Sequence, residues 1–155
     1  EAFVTPKSHK IMFSVASIIA SVSPLVIFWG GGSLANSKYW SAIIEGRVHE
    51  NIIWYLVCVV VSAVVLVHTY NVQATRTRRK LLLTREAASS NERAETELKS
   101  VTANESAYYT LFVLNSLYLA VFLLTLRYVL PAQELSERVN YALASSGAAA
   151  VTAFA

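Results

Sequence analysis

The side chains with chemistry to offer in this chain are few, and they do not converge. His9, His49 and His68 fall in separate segments, with no nucleophile–base pair and no metal-ligand spacing among them. Cys58 is the only cysteine, which excludes an internal disulfide and a cysteine-built metal site. Its neighbours are apolar, a setting in which cysteine serves as a small packing residue. Asp is absent altogether. The one dense group is cationic: Arg76, Arg78, Arg79, Lys80 and Arg85 come before any acid in their segment. Such a cluster suits phosphate oxygens. They could belong to anionic lipid headgroups, at about 1 kcal/mol per cation, or to a large RNA. A nuclear-localisation patch has similar composition but does not suit a multi-span chain. This inventory predicts no enzyme, no cofactor, no metal and no small-molecule substrate.

The elements that must position the cluster follow from where charge is missing. Ile11–Ser37, Asn51–Thr75, Ser106–Leu126 and Val139–Ala155 hold no charged residue. Only 15% of the 155 residues are charged, against about 25% in ordinary soluble domains. A bilayer core takes about 20 apolar residues per helical crossing. The pattern predicts an all-α membrane protein built as a single membrane domain, residues 1–155. Its spans are expected near 11–29, 52–72, 107–129 and 139–155. That makes four transmembrane helices in a 2+2 arrangement, with a water-facing helical hairpin near 76–105. Lys7, His9 and Lys10 ahead of Ile11–Trp29 resemble the start of a signal peptide, but the apolar run is long and ends at an aromatic, so a retained span is expected.

Orientation follows from the cations. One side would hold Lys7, Lys10, Arg76, Arg78, Arg79, Lys80, Arg85, Arg93 and Lys99, the other Lys38, Arg47, Arg127 and Arg138. This predicts both termini and the hairpin in the cytosol. Asn104-Glu105-Ser106 fits a glycosylation acceptor but would then stay unmodified. Trp29, Trp54, Tyr55, Tyr128 and Tyr141 are expected at the far interface, and Tyr70, Tyr108 and Tyr109 at the cytosolic one. Gly30-Gly31-Gly32-Ser33 should stop the first helix, Pro131 should open the short second loop, and Ser136 should cap the last helix.

Inside the membrane, small residues are expected at helix contacts. Ser14, Ser17, Ser21 and Pro24 form a stripe on the first helix. Cys58 and Ser62, Ser116 and Ala120, and Ser146 and Ala150 form small-xxx-small pairs on the others. Pro24 should kink the first helix or loosen its far end. No Glu, Lys or Arg sits mid-span, which disfavours pumps and secondary transporters. His68 reads as an interfacial residue, and Asn115 as a partner in an interhelical hydrogen bond.

From Arg47 to Leu130 there is neither Gly nor Pro. Both halves of the excursion are therefore expected to continue the membrane helices, turning at Ser89-Ser90-Asn91. Glu95 and Lys99 make an i,i+4 pair. Leu81-Leu82-Leu83 should pack against the return arm near Leu98 and Val101, or against a partner.

Several local patterns together resemble one family, the gamma subunit of the translocon-associated protein complex, also called the signal sequence receptor gamma subunit. They are Ser23-Pro24 with Phe28-Trp29, Tyr70-Asn71-Val72, and Asn104-Glu105 with Ala107 and Tyr109. Asn115-Ser116-Leu117, Val139-Asn140-Tyr141 and Ser145-Ser146-Gly147 complete the set, which covers nearly all of the chain. The resemblance implies a non-catalytic subunit in the endoplasmic reticulum membrane beside the Sec translocon. It implies as partners the other subunits of that complex, membrane lipids, and the rRNA and proteins of the large ribosomal subunit. The hairpin would touch the ribosome during co-translational translocation, so the resemblance favours ribosome contact for Arg76–Arg85. One departure stands out. The family's hairpin is longer and more basic, whereas the return arm here is acidic through Glu92, Glu95 and Glu97. The competing readings are an insertase with a cytosolic coiled coil, which wants a charged groove in the bilayer, and a small four-span transporter.

Overall fold

Helix α1 spans Lys7–Gly30, starting directly after Pro6 and ending at the first residue of the glycine triplet. It runs through Pro24 for six further residues, so the missing amide does not end it. Helix α2 is one unbroken element, Ile52–Arg85. Helix α3 covers Glu92–Leu124 and continues as a π-helical stretch, Thr125–Val129. Helix α4 covers Glu137–Phe154. The computed structural model describes residues 6–30, 52–85, 92–129 and 136–155, and no strand occurs among them. The expected turn at Ser89-Ser90-Asn91, the loop at Pro131, His49 and the rest of the glycine triplet lie outside the described residues.

Three helices, α1, α2 and α3, are long and apolar enough to cross a membrane. Helix α4 has 18 residues but opens on Glu137-Arg138 and owes much of its apolar character to alanine, which adds little hydropathy. At 1.5 Å per residue, α2 is about 51 Å long, against about 30 Å of hydrocarbon in a bilayer. A helix of this length outruns the bilayer by several turns.

Contacts at the two ends give the directions of the helices. At one end the His9 ring nitrogen Nε2 donates to Asn104 Oδ1 at 2.8 Å, and Phe13 meets Tyr70 ring to ring. The start of α1, the middle of α2 and the first half of α3 are thereby joined. At the other end Tyr141 packs edge-on against Tyr55 and Phe122, while the Trp54 indole donates to the Arg138 carbonyl at 3.3 Å. Successive helices therefore alternate in direction. Helix α2 packs against all three others; α4 lies on α2 and α3 and barely meets α1.

What is inside this bundle is unlike a soluble core. The buried set includes Tyr70, Tyr118, Tyr141, Phe13 and Phe122, with Ala107, Ala144 and Ala148. With them are the hydroxyls of Ser17, Ser21, Ser62, Thr69, Thr110, Ser145 and Thr152. Many valines and isoleucines face outwards instead, as does Phe112 at 74% exposure. Water would drive these large aliphatic groups inwards, whereas lipid gives them no reason to leave the surface. Most inner hydroxyls fold back on their own helix, as Thr69 does to the Val65 carbonyl and Thr152 to that of Ala148. That saves them from an unpaired state in an apolar medium.

Several expectations change here. Ser17, Ser21, Pro24 and Ser62 are buried and Cys58 half-buried, but Ser14 is exposed. Ser116, Ala120, Ser146 and Ala150 are exposed on the outside of the bundle. Spacing could not select a face, because α4 has small residues all round; the large rings of Tyr118 and Tyr141 did. Tyr55, Tyr70 and Tyr141 likewise point into the core rather than forming an interfacial belt, while Trp54, Tyr108, Tyr109 and Tyr128 are exposed. Ser136 occupies the N-cap position of α4 with extended backbone, yet its side chain makes no cap hydrogen bond.

Candidate functional site

The five clustered cations all lie on the last three turns of α2, and the helix splits them into two groups. Arg76, Arg79 and Lys80 are exposed. Spacings of three and four place them on one face, which ends at Leu83, 64% exposed. Arg78 and Arg85 turn the other way. Arg78 lies at the junction of three helices, beside His9 and Phe13 of α1 and Ala103 and Ser106 of α3. Arg85 donates from Nη1 to Glu105 Oε2 at 2.7 Å and to Thr102 Oγ1 at 3.4 Å. That hydrogen bond, reinforced by opposite charge, holds the Glu105 carboxyl below its ordinary value and raises the Arg85 guanidinium.

Leu82 fixes this arrangement. It is 1% exposed, so the arm buries one leucine of the three while Leu83 faces out and Leu81 is intermediate. Val101, an expected neighbour, is 56% exposed. The Arg85–Glu105 pair docks the end of α2 on α3, and Leu82 is buried in the same stretch, so the three outward cations sit on a supported helix. On α3 the expected pair forms, Lys99 Nζ donating to Glu95 Oε1.

The structure also brings together groups that spacing did not join. Lys10 of α1 reaches the same end of the bundle as Arg76. The two flank a groove between α1 and α2, which also touches His68 and Asn71. Deeper in, the Tyr70 hydroxyl donates to Asn115 Oδ1, an interhelical bond between α2 and α3. The Ser62 hydroxyl lies beside the Tyr118 phenol, although the two do not meet in ordinary hydrogen-bond geometry. Among the described residues there is no group of three His, Cys, Asp or Glu side chains placed to hold a metal. No protein-family model matches this chain, and no curated protein is significantly similar to it.

The arrangement can bind anions. Three exposed cations on a rigid helix present charge without a carboxylate on their own element, since α1 and α2 contain no Asp or Glu.

Proposed function

We propose that this chain is a non-catalytic accessory subunit of a protein-translocation channel, anchored in the endoplasmic reticulum membrane and touching the ribosome through the outer face of α2. In this reading α4 is a fourth span, the spans form a 2+2 arrangement around a cytosolic hairpin, and both termini are cytosolic. Its partners are the other subunits of a translocon-associated complex, the Sec channel and the large ribosomal subunit. The reading rests on the resemblance carried by the local patterns from Ser23-Pro24 to Ser145-Ser146-Gly147. The observation that carries it furthest is the continuation of α2 beyond bilayer length as one helix. That helix displays Arg76, Arg79 and Lys80 on one side and is braced by Leu82 and Arg85 on the other. A braced helix keeps its cations in fixed register, which suits the phosphates of folded RNA.

The test is co-sedimentation of the membrane-embedded protein with ribosomes. Arg79→Glu with Lys80→Glu should lower the retained fraction severalfold at moderate salt. It should also flatten the salt dependence, since each lost phosphate contact removes a slope of about 0.7–0.9. Arg85→Gln should have a smaller effect, because Arg85 lies off the outward face, on the side of α2 that meets Glu105. Unchanged sedimentation after the double reversal would remove the role of this face, and sugar on Asn104 would overturn the orientation.

A further inference from the structure

The groove between α1 and α2 lies at the basic end of the bundle, where the apolar stretches of both helices give way to charge. Lys10 and Arg76 stand at its mouth, and Ser14, His68, Asn71 and Thr75 line it. It is an open surface groove of about 740 Å³. Neither helix contains a carboxylate, and Lys10 and Arg76 have no ion-pair partner among the described residues. The Ser14 and Thr75 hydroxyls and the Asn71 amide nitrogen donate to carbonyls of their own helices, which leaves the two cations to meet an anion. Val67 and Val72 supply the apolar part of the wall. One turn deeper, Ile18 on α1 and Val64 on α2 are exposed at 56% and 64%.

The groove therefore passes from cationic to polar with valine walls, and by helical spacing the surface one turn beyond it is aliphatic. A free phosphate would satisfy the mouth and gain nothing from the valine walls or the aliphatic surface beyond them. A phospholipid matches both, with phosphate at Lys10 and Arg76 and an acyl chain over Ile18 and Val64. We propose that the groove is a site for one anionic glycerophospholipid of the leaflet at the basic end. The inference rests on α1 and α2 lying in a membrane; it shares Arg76 with the proposed ribosome face but uses neither Arg79 nor Lys80.

The experiment is native mass spectrometry of the full chain released from nanodiscs of phosphatidylcholine with a minor share of phosphatidylserine. The wild-type protein should retain one phosphatidylserine with at least fivefold preference over phosphatidylcholine. Lys10→Gln with Arg76→Gln should bring that preference to within twofold of parity, and Lys10→Arg with Arg76→Lys should keep it. Arg79→Gln with Lys80→Gln, outside the groove, should also keep it. Equal loss in both glutamine pairs would assign the preference to the general field of the basic end and overturn the site. Displacement of the lipid by millimolar inorganic phosphate alone would show a free-anion site instead. The ribosome assay reads a different pair of cations, so failure of one proposal is distinguishable from failure of the other.

Discussion

The two halves of α2 are one continuous helix built by two opposite rules. The half from Ile52 to Tyr70 buries Tyr55, Val59, Ser62, Leu66, Thr69 and Tyr70, and turns Val57, Val60, Val61 and Val64 outwards. The half from Asn71 to Arg85 buries Ala74 and Leu82 and turns its cations outwards. In the first half polar and aromatic side chains share the inside with Val59 and Leu66 while other aliphatics stay out; in the second, only the apolar Ala74 and Leu82 go inside. The difference teaches where the solvent changes. Lipid offers aliphatic side chains as good a home as a protein interior, so close packing and hydrogen bonds hold the first half together. Water expels Leu82, so the hydrophobic effect holds the second.

The strongest way to break this comparison is to exchange an inner ring for a methyl. Tyr118→Ala should cost about 3–5 kcal/mol, the usual loss for a buried aromatic, measured by unfolding in mixed micelles. Phe112→Ala, on the outside, should stay within about 0.5 kcal/mol. Equal costs would mean that the aromatic interior is not what holds the bundle. Next in size, Leu82→Ala should cost about 2–3 kcal/mol and should raise hydrogen exchange in the arm before the span. Protection lost evenly along α2 would contradict two separately stabilised halves.

A smaller effect sharpens the membrane half alone. Tyr70→Phe removes the hydroxyl that bonds Asn115, and should cost about 0.6 kcal/mol, typical of interhelical hydrogen bonds in lipid. The smallest effect belongs to the aqueous half. The Glu105 carboxyl is held below its ordinary value of 4.5 by Arg85. Its contribution is therefore complete above that value in the unfolded chain and is lost as pH falls through the lower folded value. Because the pair is exposed, melting temperature should shift only slightly between pH 7 and pH 3, and Glu105→Gln should remove that part of the shift.

Much of the comparison was legible without coordinates. The charge-free stretches marked the apolar halves of α1, α2 and α3, and the absence of Gly and Pro between Arg47 and Leu130 left nothing to break α2 before Arg85. Asn115 was recognisable as an interhelical partner because an amide in mid-span needs one. Less legible was which small residues face inwards. Ser62 does and Ser116 does not, and both pairs have the same spacing. The basic cluster read as five equivalent cations, whereas Arg78 and Arg85 are turned towards other helices. Lys10 carried no signal of its nearness to Arg76, because 66 positions separate them.

Composition and local spacing by themselves indicated that the chain is helical, that charge gathers at the end of α2, and that four stretches could cross a membrane, of which three form helices long and apolar enough to do so. These are properties of one helix at a time, set by the cost of placing charge and unpaired backbone in hydrocarbon. Tertiary structure alone decided which face of each helix meets a neighbour. It thereby decided which cations remain outward, that His9 meets Asn104, and that Lys10 and Arg76 share a groove. Those outcomes depend on how large rings from different helices fit together. A repeat of small residues permits close approach on any face, whereas the large rings of Tyr70, Tyr118 and Tyr141 are fully enclosed in this bundle and must be fitted by their neighbours.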